Sequence, residues 1–303
     1  MEFLQQLEEA VTRVGERVGP SVVRIGKGFG RGNGVVIAGG QVLTNAHNLR
    51  GPETTVTFGD GRVAAGTAAG VDVDGDLAVL NVDTGDAPAI AWEPGPAPSG
   101  GSAVFAVAAD AGGGRRVTFG TVSAVGRAFR GPRGWRIGGS IEHTAPLARG
   151  SSGSPVVDGN GRLLGVNTNR LGDGFYLALP ADAELKGRVD ALARGEAPVR
   201  PRLGVALAPP RAARELRRAV GLPERDGLLV RGVEDDSPAD RAGLRKGDLI
   251  VEAAGRALAT PDDLFDALEG VSGADSLALR VVRGTEELEV RVAFAGGRVE
   301  GSA

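Results

Sequence analysis

From about Ser21 to Pro180 the chain breaks into short β-prone runs punctuated by glycine, and this pattern limits the folds open to it more than any other feature. The runs are Val35-Val36-Ile37, Val42-Leu43-Thr44, Thr55 to Phe58, Leu77 to Val82, Val104 to Val107 and Val117 to Val125. Short strands at such spacing predict a barrel or a sandwich. Pro155 to Val157, then Asp158-Gly159-Asn160-Gly161, then Arg162 to Val166 read as a hairpin, because an Asn-Gly pair tolerates the positive φ of a tight turn. The proline-rich stretch Glu93 to Gly101 divides the region near its middle, which predicts two β subdomains joined by a connector.

The rest of the chain has a different texture. Met1 to Val11 carries apolar residues at 3, 4, 7 and 11 with acids between them, a short amphipathic helix. It lacks the basic start and apolar core of a signal peptide, so the protein is expected either to work in the cytoplasm or to have lost an export segment. Between Asp182 and Arg202 lie Ala, Arg and Glu with Leu185, Val189 and Leu192 at helical spacing, a helix and linker. Beyond these the pattern predicts a strand at Val205 to Leu207, a helix over Arg211 to Val220, and a strand at Gly227 to Val233. A turn at Ser237-Pro238, a strand at Leu249 to Glu252, a helix over Pro261 to Glu269, and strands at Leu277 to Val282 and Leu288 to Phe294 complete it. The last helix has Thr260 to cap it, Pro261 at its first position, and Asp262 and Asp263 at the positive end of its dipole. The expected divisions are an N-terminal helical segment 1–19, a β domain 20–182, a helical linker 183–200, a small α+β domain 201–296 and a tail 297–303.

Composition excludes several functions. A chain of 303 residues has room for roughly two domains, each with its own core. The net charge of −3 gives no basic footprint for nucleic acid. No apolar run approaches the ~18 residues needed to span a bilayer. With no cysteine there is no disulfide framework, thiol nucleophile or thiolate metal site, and no metal or other cofactor is expected.

The sharpest chemical feature is Gly150-Ser151-Ser152-Gly153-Ser154-Pro155. A serine on a glycine-flanked turn exposes its hydroxyl, while neighbouring backbone N–H groups face a developing oxyanion. A serine nucleophile needs a base, and the chain has only two histidines, His47 and His143. His47 lies just past the run Val42 to Thr44. His143 is nine positions before Ser152 and reads better as a strand residue. An acid must also hold the imidazole tautomer; Asp72, Asp74 and Asp76 are the candidates, and Asp76 directly precedes the apolar run Leu77-Ala78-Val79-Leu80.

These segments together resemble the HtrA/Deg family of serine proteases over nearly the whole chain, from about Val18 to Phe294. Leu43 to His47 is similar to the family's Leu-Thr-Asn-x-His segment, Asp76 to Val79 to its Asp-Leu/Ile-Ala-Val, and Gly150 to Pro155 to its Gly-Asn-Ser-Gly-Gly-Pro. Val117 to Gly126 also looks like a family segment. The resemblance implies a mostly β chain: a trypsin-like double β-barrel protease domain followed by a small α+β PDZ domain. It assigns His47, Asp76 and Ser152 to the triad, and the backbone of Gly150, Ser151 and Ser152 to the oxyanion hole. It implies a primary specificity pocket near Pro146 and Leu147, walled by Asn167, Thr168 and Asn169. With no acid at position 146, cleavage after small aliphatic residues of unfolded proteins is expected rather than after Arg or Lys. Arg202 to Val205 and Ser237 to Ile250 resemble PDZ segments, so Leu203, Gly204 and Val205 would take a peptide's C-terminal carboxylate, with Leu264 and Leu268 along the groove. Those two leucines equally fit an ordinary core.

The resemblance further implies a homotrimer, with Phe3 and Leu4 at the contact, and an extracytoplasmic site of action if an export segment has been removed. The segment Ile25 to Gly34 is too short for the long regulatory loop of some relatives, which argues against a large cage. Several positions depart from the family pattern. Ser151 stands for Asn, Ser154 for Gly and Arg149 for a frequent Pro, and Asp110 to Arg116 stands where many relatives carry an Asn-Pro-x-Gly turn. A catalytically silent peptide-binding scaffold, or a chaperone, is the alternative expectation.

Overall fold

The structure, a computed structural model, describes residues 2–294 apart from 28–30, 94, 111–113, 132–134, 197, 199–200, 223–224 and 272–275, and only the backbone of Phe3 and Pro210. The tail 297–303, the Phe3 side chain expected at a subunit contact, and parts of the segments 25–34 and 110–116 therefore lie outside the described residues. The chain forms two compact units, 1–198 and 199–303.

The first unit opens with helix α1 (Glu2–Val18) and continues as two closed barrels. The first barrel contains β1 (Val22–Ile25), β2 (Gly32–Ala38), β3 (Gln41–Thr44), β4 (Glu53–Thr57), β5 (Val63–Asp72) and β6 (Leu77–Val82), joined in the order β1-β2-β3-β6-β5-β4. The second contains β7 (Ala103–Ala109), β8 (Arg115–Arg130), β9 (Arg136–His143), β10 (Pro155–Val157), β11 (Leu163–Gly172) and β12 (Phe175–Pro180), in the order β10-β11-β12-β9-β8-β7. The proline-rich stretch runs between β6 and β7, as its position in the sequence predicts.

Strand alternation explains how both barrels fill. Successive side chains of a strand point to opposite faces, and in β6 this sends Leu80 and Val82 into the first barrel with Val23, Ile25, Val36 and Val42. Leu77 and Val79 instead join a cluster with Phe105, Val107, Val157 and Leu163 of the second barrel. That shared cluster holds the two barrels together, and each buried Val or Leu contributes about 1.5–3 kcal/mol of hydrophobic stabilisation. Val14 and Val18 of α1 and Leu185, Val189 and Leu192 of α2 (Ala183–Ala193) pack into the same cluster. Helix α2 starts where Asp182 accepts a hydrogen bond from the Leu185 N–H at 2.8 Å. Leu4, one turn before the packed face of α1, is 68% exposed and contributes nothing to this core.

The β10–β11 hairpin differs in detail from the expectation. Gly161 alone adopts positive φ, at 79°, while the Asp158 carboxylate accepts the N–H groups of Asn160 and Arg162 at 2.9 and 3.0 Å. The side chain of Asp158 thus supplies the turn that was expected from Asn160, and the register shifts between Val156 and Val157.

The second unit contains β13 (Val205–Leu207), α3 (Pro210–Ala219), β14 (Leu228–Val233), α4 (Pro238–Arg241), β15 (Leu249–Ala253), β16 (Arg256–Ala257), α5 (Pro261–Glu269), β17 (Ser276–Arg283) and β18 (Glu286–Ala293). Its sheet runs β13-β14-β15-β17-β18, with β16 paired to β15, so β13 lies at one edge. Helix α5 opens on a capping box between Thr260 and Asp263, two reciprocal bonds that satisfy otherwise orphaned N–H groups. Ser237 caps the single turn of α4, accepting from Asp240 N–H at 3.1 Å. No helix among the described residues is long and apolar enough to cross a membrane.

Candidate active site

His47 sits in a single 3₁₀ turn, Ala46–Asn48, directly after β3. Its Nδ1 lies 2.9 Å from both carboxylate oxygens of Asp76, and its backbone N–H donates to Asp76 Oδ1 at 3.2 Å. Asp76 is 2% exposed and has φ of +54°, a left-handed conformation uncommon outside glycine, asparagine and aspartate. Asn45 holds that strained residue, donating from Nδ2 to the Asp76 carbonyl at 3.0 Å. Thr168 Oγ1 donates to Asp76 Oδ2 at 2.5 Å. An ionised carboxylate only accepts, so Nδ1 carries the imidazole proton and Nε2 is left as a base. Asp72, one of the alternative acids, instead accepts from Arg188 Nη2 at 2.8 Å and from Gly75 N–H at 2.8 Å.

Ser152 lies on the loop that enters β10. Gly150 and Gly153 take φ of +83° and +88°, and a Cβ on Gly153 would stand 2.0 Å from the Asn33 carbonyl oxygen. Only glycine fits there. The Ser152 carbonyl accepts from Asn33 N–H at 2.7 Å and Asn48 Nδ2 at 3.0 Å, both contributed by the first barrel. The N–H groups of Gly150, Ser151 and Ser152 have no acceptor among the described residues. Ser151 is buried, Ser152 half-buried and Gly150 exposed, and three successive free N–H groups form a ready site for an anion. The Ser152 hydroxyl donates to the Thr168 carbonyl at 3.1 Å rather than to His47. Thr168 consequently touches both halves of the site, Asp76 through its side chain and Ser152 through its carbonyl.

A pocket of about 170 Å³ opens beside Ser152, lined by Leu147, Ala148, Arg149, Gly150, Ser151, Asn167, Thr168, Asn169, Arg170 and Tyr176. Leu147 and the three residues Asn167 to Asn169 are among its lining residues. Pro146 does not line the pocket, whereas Tyr176, whose hydroxyl donates to the Leu147 carbonyl at 3.3 Å, does. His143 is fully buried on β9 and stacked on Tyr176 with ring centres 5.8 Å apart. Its Nε2 lies 2.8 Å from Asn167 Oδ1, and its Nδ1 has no partner. Burial pushes its pKa below the ordinary histidine value, partly opposed by the bond to Asn167. It is a strand residue, the last of β9. No cluster among the described residues is arranged to hold a metal ion.

Comparison with known proteins identifies both units. A trypsin-like peptidase domain model matches residues 32–166, and a PDZ domain model matches residues 229–283. The putative serine protease HhoA of Synechocystis sp. is 33% identical over 286 residues, covering 88% of this chain and 71% of that protein. The chain belongs to the HtrA/Deg family of serine proteases. Other family members include the putative serine protease HhoB of the same organism, 31% identical over 84% of this chain, and a probable periplasmic DegP-like endoprotease of Halomonas elongata, 30% identical over 86%. The chain spans 64% and 55% of the length of these two relatives. Among solved structures, the HtrA-type protease AlgW with decapeptide shares the fold with a TM-score of 0.65 at 24% identity, covering 93% of this chain and 97% of that one.

Within this HtrA/Deg chain the PDZ residues singled out by sequence are placed unevenly. Gly204 has φ of +80°, and a Cβ there would lie 2.3 Å from the Ser237 Cβ. Leu203 is buried, and its carbonyl accepts from Ala239 N–H at 2.9 Å. Val205 begins the edge strand β13, opposite Val233. Leu264 and Leu268 are only 5% and 4% exposed, so both stand as core residues of α5. Sequence reading did not find Asn33, Asn45 or Asn48, or the bond from Thr168 to Asp76. Asn45 lies inside the His47 motif, which was a usable signal, but nothing near Asn33 marks it.

Proposed function

We propose that this chain is a serine endopeptidase of HtrA type in which Ser152 is the nucleophile, His47 the base and Asp76 the acid that orients it. The observation that carries this reading is the double role of Thr168, whose hydroxyl binds Asp76 and whose carbonyl binds the Ser152 hydroxyl, tying all three groups into one network. On substrate binding the Ser152 hydroxyl turns to His47 Nε2 and gives up its proton as Oγ attacks the scissile carbonyl. The oxyanion is received by the free N–H groups of Gly150 and Ser152, with that of Ser151 beside them. Asp76 stabilises the imidazolium, which protonates the leaving amine, and water then hydrolyses the acyl-enzyme by the same route in reverse.

The apolar lining of Leu147, Ala148 and Tyr176, with no acid among the pocket residues, supports cleavage after small aliphatic residues. The exposed edge β13 supports capture of a substrate's C-terminal peptide as an added strand. Unfolded proteins are the substrate class, an extracytoplasmic compartment the site of action by likeness to the periplasmic relatives, and a homotrimer the assembly. The test is covalent labelling by a fluorophosphonate. Wild type labels and Ser152→Ala does not; absence of labelling in wild type, with and without C-terminal peptides, refutes the peptidase. One observation favours a second reading, a silent scaffold: the Ser152 hydroxyl rests on Thr168 and not on His47. That reading predicts peptide binding at the second unit with no turnover.

A further inference from the structure

We infer that Asn33 is a positioning residue for the nucleophile loop, holding the backbone around Ser152 in the shape that keeps its N–H groups free. The inference rests on the peptidase reading and deepens it. Asn33 lies on β2 in the first barrel and is 1% exposed. Every polar group it has is engaged. Its N–H donates to Ser152 O at 2.7 Å, and its carbonyl accepts from Thr44 Oγ1 at 2.6 Å. Its Oδ1 accepts from Ala109 N–H at 2.6 Å, while Nδ2 donates to Ala109 O at 3.2 Å and to Gly150 O at 3.0 Å. The orientation of the amide is fixed by this set, because the Ala109 N–H requires an oxygen and the two carbonyls require a nitrogen.

The consequence follows from peptide geometry. In a trans peptide the carbonyl and the next N–H point in opposite directions. Asn33 holds the carbonyls of Gly150 and Ser152, and Ser154 N–H holds that of Ser151 at 3.0 Å. Three successive peptide planes are thereby set, and with them the directions of the N–H groups of Ser151, Ser152 and Gly153. The last of these donates to Asn167 O at 2.7 Å. The first two have no acceptor among the described residues, and that of Ser152 is one of the two proposed to receive the oxyanion. A loop with two conformations open to it has no reason to keep these donors unpaired. Asn33 therefore supplies, from the barrel that carries His47 and Asp76, the constraint that registers the Ser152 loop against them.

The experiment compares Asn33→Ala and Asn33→Asp with wild type in the full chain. The readouts are turnover of an internally quenched peptide, binding of a peptide boronate that mimics the tetrahedral adduct, and thermal melting. Misplacement of a reacting group by about 1 Å, or loss of one oxyanion donor, costs on the order of 10²-fold. The expected result is a fall in kcat of about 10–100-fold with KM within about twofold, and a loss of boronate affinity matching the fall in kcat/KM. Should Asn33→Ala not fold, Asn33→Asp carries the test. It keeps the acceptor for Ala109 N–H but sets an oxygen against the Gly150 carbonyl. Its activity relative to wild type rises as pH falls, because the protonated acid donates again. A merely structural residue would lower the melting temperature without separating kcat from KM or changing boronate affinity per folded molecule. Variants that bind boronate and turn over within threefold of wild type, or that change KM alone, overturn the inference. Wild-type labelling by fluorophosphonate, run in parallel, separates this failure from failure of the peptidase reading, with which the inference falls.

Discussion

Replacement of Asp76 by asparagine is the most informative single change, because the backbone tolerates it and the hydrogen-bond inventory does not. Asparagine accepts the left-handed φ of +54° found at this position with little penalty. The carboxylate of Asp76 receives three donors: His47 N–H at 3.2 Å, His47 Nδ1–H at 2.9 Å and Thr168 Oγ1–H at 2.5 Å. An amide offers one oxygen and brings two N–H groups of its own. Its nitrogen meets either Thr168, whose hydroxyl can turn and accept, or His47 Nδ1, which accepts only if the imidazole proton moves to Nε2. In the second arrangement no base faces Ser152. Restoring the working tautomer costs a charge-assisted hydrogen bond, about 1.5–3 kcal/mol, and leaves a buried donor unsatisfied for about 1–3 kcal/mol more. The sum of about 2.5–6 kcal/mol corresponds to roughly 10²–10⁴ in rate at about 1.4 kcal/mol per tenfold. Steady-state hydrolysis of a quenched peptide at pH 7.5 reads this as a fall in kcat with KM nearly constant, and fluorophosphonate labelling slows in parallel. Activity within tenfold of wild type would mean that Asp76 does not set the tautomer of His47.

Gly153→Ala is expected to abolish turnover and to lower the melting temperature, since the added Cβ would lie 2.0 Å from the Asn33 carbonyl at a φ of +88°. A variant that melts and cleaves like wild type would refute the described approach of the two barrels. His143 gives the protein a pH-dependent stability. Burial depresses its pKa below the ordinary 6.5, so the unfolded chain binds more protons than the folded one in the interval between the two values. Stability therefore falls as pH drops through about 6.5 and stops falling once the folded histidine itself protonates. Urea midpoints at pH 7.5 and 5.5 should separate in wild type and move closer together in His143→Gln; equal separations would rule out His143 as the source. Gly204→Ala should weaken binding of C-terminal peptides to the second unit, because its φ is +80° and the new Cβ meets Ser237 at 2.3 Å. Fluorescence anisotropy with a labelled peptide checks it, and unchanged affinity would remove this loop from the peptide site.

Much of the double barrel was readable because β-branched runs and glycine punctuation are local properties. Of the strands that escaped, β1 and β12 carry strand-favouring residues in short runs, whereas β5 and β9 are poor in them. Strand β5, Val-Ala-Ala-Gly-Thr-Ala-Ala-Gly-Val-Asp, has little β propensity of its own and is held by its pairing with β4 and β6. Glycines interrupt β9 in the same way. The site divides along a similar line. A nucleophile, a base and an acid must be particular side chains, so Ser152, His47 and Asp76 stood out as residue types before any geometry was known. The groups that orient them act on backbone carbonyls, a task open to any donor of suitable reach, so Asn33 and Asn48 left no pattern and Asn45 was marked only by its place in the His47 motif.

The departure from the family motif at Ser154 shows why such residues have to be read in sets. Taken singly, a serine in place of glycine next to the nucleophile loop and a histidine buried in a barrel strand are both costly. In the fold they are joined through Asn167. Its Nδ2 donates to Ser154 O at 3.1 Å and Ser154 Oγ at 3.0 Å, while its Oδ1 faces His143 Nε2 at 2.8 Å. Ser154 and His143 are both fully buried, so each supplies the other's partner with the polarity it needs, and only the Nδ1 of His143 is left unsatisfied. Since Asn167 also accepts the Gly153 N–H through its carbonyl, an apolar residue at 143 strands the buried Oδ1 of Asn167 and should disturb the loop that carries Ser152, and an apolar residue at 154 as well removes a second partner and deepens the effect. Only a change that takes out the Asn167 amide together with His143 removes both ends of a bond and is the one more easily tolerated.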